Sequence, residues 1–189
     1  MDDEDAAPEQ GPWDAADAPA GVSRIDLGAL QVPIVAELEV QLNTVDDDVV
    51  AATVLQQGSA VQMQAFSAPK SDDVWYEVRR ELTDSIRSSG GSAEEVEGTF
   101  GIELSAQVPM EMPDAEGLSV QSLRFIGIDG PRWFLQCVFS GDAAVDGQQA
   151  ALLEQVVRGT VVVRGEAPLP PRELLELQVP PEAKQDATQ

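Results

Sequence analysis

The sequence predicts an α+β fold, a mostly antiparallel β-sheet with two main helices packed on it. Several short segments alternate apolar and polar side chains, as strands buried on one face do. Two longer segments repeat apolar residues at helical spacing. The order of these segments lacks the βαβαβ rhythm of a doubly wound parallel sheet. With 189 residues, 43% of them hydrophobic, the chain suffices for one domain with tails.

Residues 1–21 are rich in acids, Ala and Pro, and Trp13 is their only aromatic side chain. That composition does not offset the entropy of ordering, so the segment is expected to be a disordered acidic tail. Trp13, within Gly-Pro-Trp-Asp, is then available to dock onto the domain or a partner. The domain is expected over residues 22–179. Leu38, Val40 and Leu42 alternate with Glu37, Glu39 and Gln41 in a half-buried strand, and Asp46-Asp47-Asp48 forms the turn after it. Val49 to Leu55, a turn at Gln57-Gly58, and Ala60 to Phe66 complete an antiparallel meander.

The first helix is expected from Asp72 to Ser88. Ser71 can cap it, Asp72 and Asp73 sit at its positive end, and Val74, Val78, Leu82 and Ile86 form a stripe widened by Trp75. Arg87 suits the last turn and Gly90-Gly91 stops the helix. Phe100, Ile102, Leu104 and Ala106 mark another one-sided strand, with Pro109 and Pro113 bounding the loop that follows.

Val120 to Ile128 and Arg132 to Phe139 read as a hairpin turned at Asp129-Gly130. That turn sets Ile126 opposite Trp133 and Arg124 opposite Leu135. One face then carries Arg124, Ile126, Ile128, Trp133, Leu135, Cys137 and Phe139, and the other carries Phe125, Arg132, Phe134, Gln136 and Val138. Both are largely apolar, as in inner strands covered on each side. A second helix is expected from Asp146 to Arg158, with Leu152, Leu153, Val156 and Val157 inward and Gly159 ending it. Thr160 to Arg164 is a short β-rich segment, Pro168 to Pro171 breaks regular structure, and residues 180–189 read as a flexible tail.

Composition narrows the chemistry. The chain has no histidine, one cysteine and a formal charge of −23. The usual proton-transfer residue and the common nitrogen and sulfur metal ligands are therefore missing. The charge repels nucleic acid and anionic membranes, so neither is expected as a partner. With no long apolar run and no signal-type N-terminus, a cytoplasmic protein is expected. The acidic surface suits a protein partner, a basic one by complementarity, or simply solubility. Asp46-Asp47-Asp48, or Glu94-Glu95 with Glu97, could gather Mg²⁺ or Ca²⁺, but consecutive acids point in different directions and no calcium-loop spacing is present. Gly90-Gly91 and Gly98-Thr99-Phe100-Gly101 are not phosphate loops, and no Gly-x-Ser-x-Gly elbow occurs. Accordingly, no catalytic residue, metal ligand or cofactor is assigned.

Five residues are candidates for an interaction: Trp13, Arg124, Asp129, Arg132 and Trp133. Arg124 lies among hydrophobes and must find a carboxylate or reach solvent; it would either pair within the fold or clamp a bound anion. Arg132 beside Trp133, next to the Asp129 turn, has the composition of an interface anchor or of a surface cation–π contact. Cys137, in the inner strand and without an activating partner, is expected to be buried and inert.

Longer stretches carry a family likeness. They include Gly11-Pro12-Trp13-Asp14, Ile25-Asp26-Leu27-Gly28, Gln62-Met63-Gln64-Ala65-Phe66-Ser67-Ala68-Pro69, and Trp75 with Val78-Arg79. Arg124-Phe125-Ile126-Gly127-Ile128-Asp129-Gly130-Pro131-Arg132-Trp133 follows, then Val161-Val162-Val163-Arg164-Gly165 and Pro170-Pro171-Arg172. Over nearly its whole length the chain resembles the actinobacterial family of unknown function DUF3710. The resemblance implies an intracellular actinobacterial protein and carries over no site residue. The order of elements is also similar to that of Mog1/PsbP-like domains, which implies a sandwich and a binding or accessory role. The expected function is therefore a non-enzymatic accessory or protein-binding module. The alternatives are a small-molecule-binding protein or carboxylate/Mg-dependent hydrolase, and a homo-oligomeric structural protein joined through an open sheet edge.

Overall fold

The computed structural model describes residues 11–70, 73–111 and 118–180. The expectations for residues 1–10, Ser71, Asp72, Pro113 and 181–189 lie outside these. Near the N-terminus come β1 (Trp13–Asp14), β2 (Arg24–Asp26) and β3 (Leu30–Pro33). The meander follows as β4 (Glu39–Val45), β5 (Asp48–Gln56) and β6 (Ser59–Ser67), then α1 (Val74–Ser88). The chain continues through β7 (Ser92–Gly98), β8 (Gly101–Glu111), β9 (Leu118–Gly130) and β10 (Trp133–Gly141). A 3-10 turn (Asp142–Ala144), α2 (Gly147–Gly159) and β11 (Val161–Val162) complete the described elements.

The alternating segments form one antiparallel sheet of seven strands in the order β4-β5-β6-β10-β9-β8-β7. β10 is central and buried on both faces, as its two apolar rows require. On one face α1 lays Val74, Trp75, Val78 and Ile86 against Leu104, Phe125 and Phe134. On the other, Leu153, Val156 and Val157 of α2 and Leu30 and Val32 of β3 pack on Ile126, Trp133, Leu135, Cys137 and Phe139. Each fully buried Leu or Val contributes about 1.5–3 kcal/mol, so these two layers hold the sheet from both sides. The second layer includes a small sheet, β1-β11-β3-β2, in which only β1 and β11 run parallel. The architecture is α+β, as expected.

Both helices start where their caps dictate. Asp73 Oδ1 accepts the Tyr76 amide at 2.9 Å, and Asp146 Oδ1 accepts the Gln148 amide at 2.9 Å. Other expectations are corrected. Ser92 to Gly98, unassigned from sequence, is the edge strand β7. Pro109 lies inside β8, paired with Val120, instead of opening a loop; β7 pairs only as far as Gln107, so proline interrupts no ladder on that side. The segment expected to be disordered through Gly21 contributes β1, because Trp13 donates its amide to Thr160 at 2.9 Å and Ala15 to Val162 at 3.0 Å.

The β9–β10 hairpin is also re-registered. Its two-residue turn is Pro131-Arg132, which places Ile126 opposite Cys137 and Arg124 opposite Phe139. Proline suits the first turn position, and Arg132 adopts the positive φ (65°) of the second. The slip moves each strand by an even number of residues, so both faces keep the composition expected of them.

Candidate functional site

The five candidate residues do not converge. Trp133 is 2% exposed, and its indole Nε1 donates to Asp14 Oδ1 at 2.9 Å. A buried indole N–H needs an acceptor, and the N-terminal segment supplies it. Trp133 is therefore a core residue and not half of an exposed anchor with Arg132. Trp13 is half-buried in the same seam, beside β11. Asp129, on the α1 face of β9, aims its carboxylate at the start of α1 and accepts the amides of Val74 (3.1 Å) and Trp75 (3.3 Å). Burial pushes its carboxyl above the usual 3.8; the Trp75 amide opposes this and nearby Asp73 adds to it. Arg132 sits exposed at the turn, with its carbonyl accepting the Ala68 amide (2.9 Å) and Arg164 Nε (3.1 Å).

Arg124 is the residue that lines a cleft. Strand parity sends it to the α2 face, where Phe139 stacks beneath the guanidinium at 4.9 Å. Nε and one terminal nitrogen donate to both oxygens of Glu103 at 2.6 and 2.7 Å, and the other terminal nitrogen reaches Glu154 at 2.6 Å. The side chains of Glu103, Arg124 and Glu154 are 3%, 13% and 14% exposed. Burial works against the cation, but the hydrogen bonds it donates to Glu103 and then Glu154 outweigh it and raise the pKa of Arg124. Gly98 makes the arrangement possible: a Cβ there would fall 2.2 Å from the Glu103 carboxyl carbon. The glycines flanking Thr99-Phe100 thus serve a buried acid and a tight turn, with φ 97° at Gly101.

Above this triad a cleft of about 390 Å³ opens between the β7–β8 turn and the start of α2, with Val96, Glu97 and Asp146 on its walls. The triad bears one net negative charge, and Glu97 and Asp146 add to it. Both oxygens of Glu103 and one oxygen of Glu154 are bound to Arg124. The chemistry of the cleft is attraction of cations.

The acids continue along β7, whose residues Glu94 to Gly98 are exposed at the sheet edge. Arg79, buried beneath, bonds Glu95 at 2.7 Å and lies 5.5 Å from the Trp75 ring. Alternation sends Glu94 and Glu95 to opposite faces. Asp46 and Asp47 both adopt positive φ (52° and 72°) in the β4–β5 turn. Among the described residues, no group of three or more acids or cysteine is placed to hold a metal ion. Cys137 is fully buried, which pushes its thiol far up.

Sequence reasoning found Arg124 but not Glu103, Glu154, Arg79 or Asp14. Glu103, Glu154 and Arg79 are charged residues beside apolar rows, a signal that indicates burial but not partner, and Asp14 lies in an acid- and Ala-rich stretch that carries no such signal. Among the described residues no helix is long and apolar enough to cross a membrane. A family model described as a protein of unknown function (DUF3710) matches residues 11–186. No curated protein and no solved structure matches.

Proposed function

Starting from the fact that the chain belongs to the DUF3710 family, whose function is unknown, we propose that it is a non-enzymatic, cytoplasmic binding module for a basic, extended protein segment. One observation carries the reading: β7 is a terminal strand with an exposed acidic rim that runs into the negative cleft beside Arg124. A segment added along β7 gains backbone hydrogen bonds, and its lysines or arginines meet Glu94 on one face of the strand and Glu97 on the other. The same acids repel a second copy of β7, which weighs against self-assembly through this edge. A carboxylate-dependent hydrolase fits less well, because the two converging acids, Glu103 and Glu154, are bound to Arg124.

The test is capture from a cytoplasmic extract on the immobilised full chain and on the double variant Glu94→Lys/Glu97→Lys. Extended lysine-rich peptides are titrated in parallel at low and physiological salt. Basic proteins and peptides are expected to bind the parent protein, to weaken with salt and to be lost from the variant at unchanged melting temperature. Equal capture by both proteins, or no peptide binding at low salt, overturns the proposal.

A further inference from the structure

A second concavity, of about 300 Å³, lies between α1 and the sheet. Half-buried Phe66 forms its floor, with Phe134 buried beneath, and Val78 and Leu82 form its helical wall, so its lining is mainly apolar. At its mouth stands Arg172, whose guanidinium makes two hydrogen bonds to Glu81, at 2.9 and 2.6 Å. Arg172 occupies a left-handed backbone conformation, φ 64°, unusual for a residue with a side chain. Ser67 holds it there. The Ser67 carbonyl accepts the Arg172 amide at 2.8 Å, and the Ser67 hydroxyl accepts the Glu173 amide at 3.0 Å while donating to the Pro170 carbonyl. A strained conformation fixed by its neighbours is a device for aiming a side chain, and here it aims a cation across an apolar pocket.

We propose that this pocket binds an amphipathic monocarboxylate, its hydrocarbon part between Phe66 and α1 and its carboxylate on Arg172. Glu81 is the stand-in for that carboxylate. The Arg172–Glu81 pair is 41% and 59% exposed, so it is cheaply exchanged in water. An incoming carboxylate recovers the same two-pronged contact and adds apolar burial that Glu81 does not provide. The pocket lies at the low end of ligand-site volumes, which suits a single medium-length chain or one aromatic ring. The pocket is independent of the β7 rim, since it lies between α1 and strands β6 and β10.

The probe is decanoate at sub-micellar concentration, compared with decanol and decylamine, on the full chain with labelled Leu and Val methyl groups. Decanoate is expected to shift the Leu82 and Val78 methyl signals saturably, and the two comparison compounds to bind about tenfold more weakly or not at all. Arg172→Gln is expected to lower decanoate affinity about tenfold, the loss of one charge-assisted contact. Glu81→Gln, which removes the competitor and leaves Arg172, is expected to raise it. The proposal is overturned by absence of saturable shifts, by decanol or decylamine binding as tightly as decanoate, or by Glu81→Gln weakening the complex. Melting curves of both variants verify that they fold.

Discussion

Replacing Arg124 by methionine would strand two carboxylates beneath α2. Glu103 and Glu154 are 3% and 14% exposed, and Arg124 supplies the contacts to both. Removing one partner of a buried ion pair costs about 3–5 kcal/mol, since the remaining charge is left without compensation. With two acids orphaned, the upper part of that range is expected. Methionine fills most of the arginine stem's volume over Phe139, so little of the loss comes from a cavity. For a chain of this size the melting temperature should fall by roughly 8–20 °C. The measurements are thermal and urea unfolding near pH 7.5 of Arg124→Met and of the triple variant Glu103→Gln/Arg124→Met/Glu154→Gln. The triple variant should recover at least half of the loss, because it buries no charge. A single variant within about 1 kcal/mol of the parent refutes the reasoning, and so does a triple variant as unstable as the single one.

Two further outcomes follow from the α1 face. Gly127→Ala should destabilise by about 1–2 kcal/mol: a Cβ there would lie 2.2 Å from the Trp75 ring and 2.7 Å from Phe134, and overpacking outweighs the entropy gained by losing a glycine. Urea midpoints measure this, and an equal or higher midpoint would show that Trp75 is free to move. The Glu81 carboxyl, held below the usual 4.5 by its hydrogen bond to Arg172, should show a lowered midpoint by carboxyl NMR that returns upward in Arg172→Ala. Because the folded value lies below the unfolded one, the pair stabilises at neutral pH and is lost as pH falls through the lowered midpoint. An unmoved midpoint counts against the contact.

Much of the architecture was legible because it rests on local patterns. The stripe from Val74 to Ile86 and the alternation in β6, β9 and β10 are properties of neighbouring residues. The register of the hairpin was not, because Asp129-Gly130 is itself a strong turn signal. Asp129 is needed instead by the amides of Val74 and Trp75, and Pro131-Arg132 takes the bend. β7 was missed because Glu94, Glu95 and Glu97 have little β propensity; its pairing with β8 and the anchor from Arg79 impose the strand. The burial of Arg124 could be read from its neighbours. Its partners could not, since Glu103 and Glu154 arrive from other elements and nothing in sequence spacing connects them.

The stitch between Asp14 and Trp133 changes where the domain can be cut. Composition suggests trimming the acidic leader at Val22, yet that cut would leave the indole nitrogen without its acceptor and take two amides away from the strand after α2. A shortened protein of that kind would lose stability along with charge, so any binding defect it showed would report on both. Trimming ahead of Gly11 keeps the seam closed and separates the two effects.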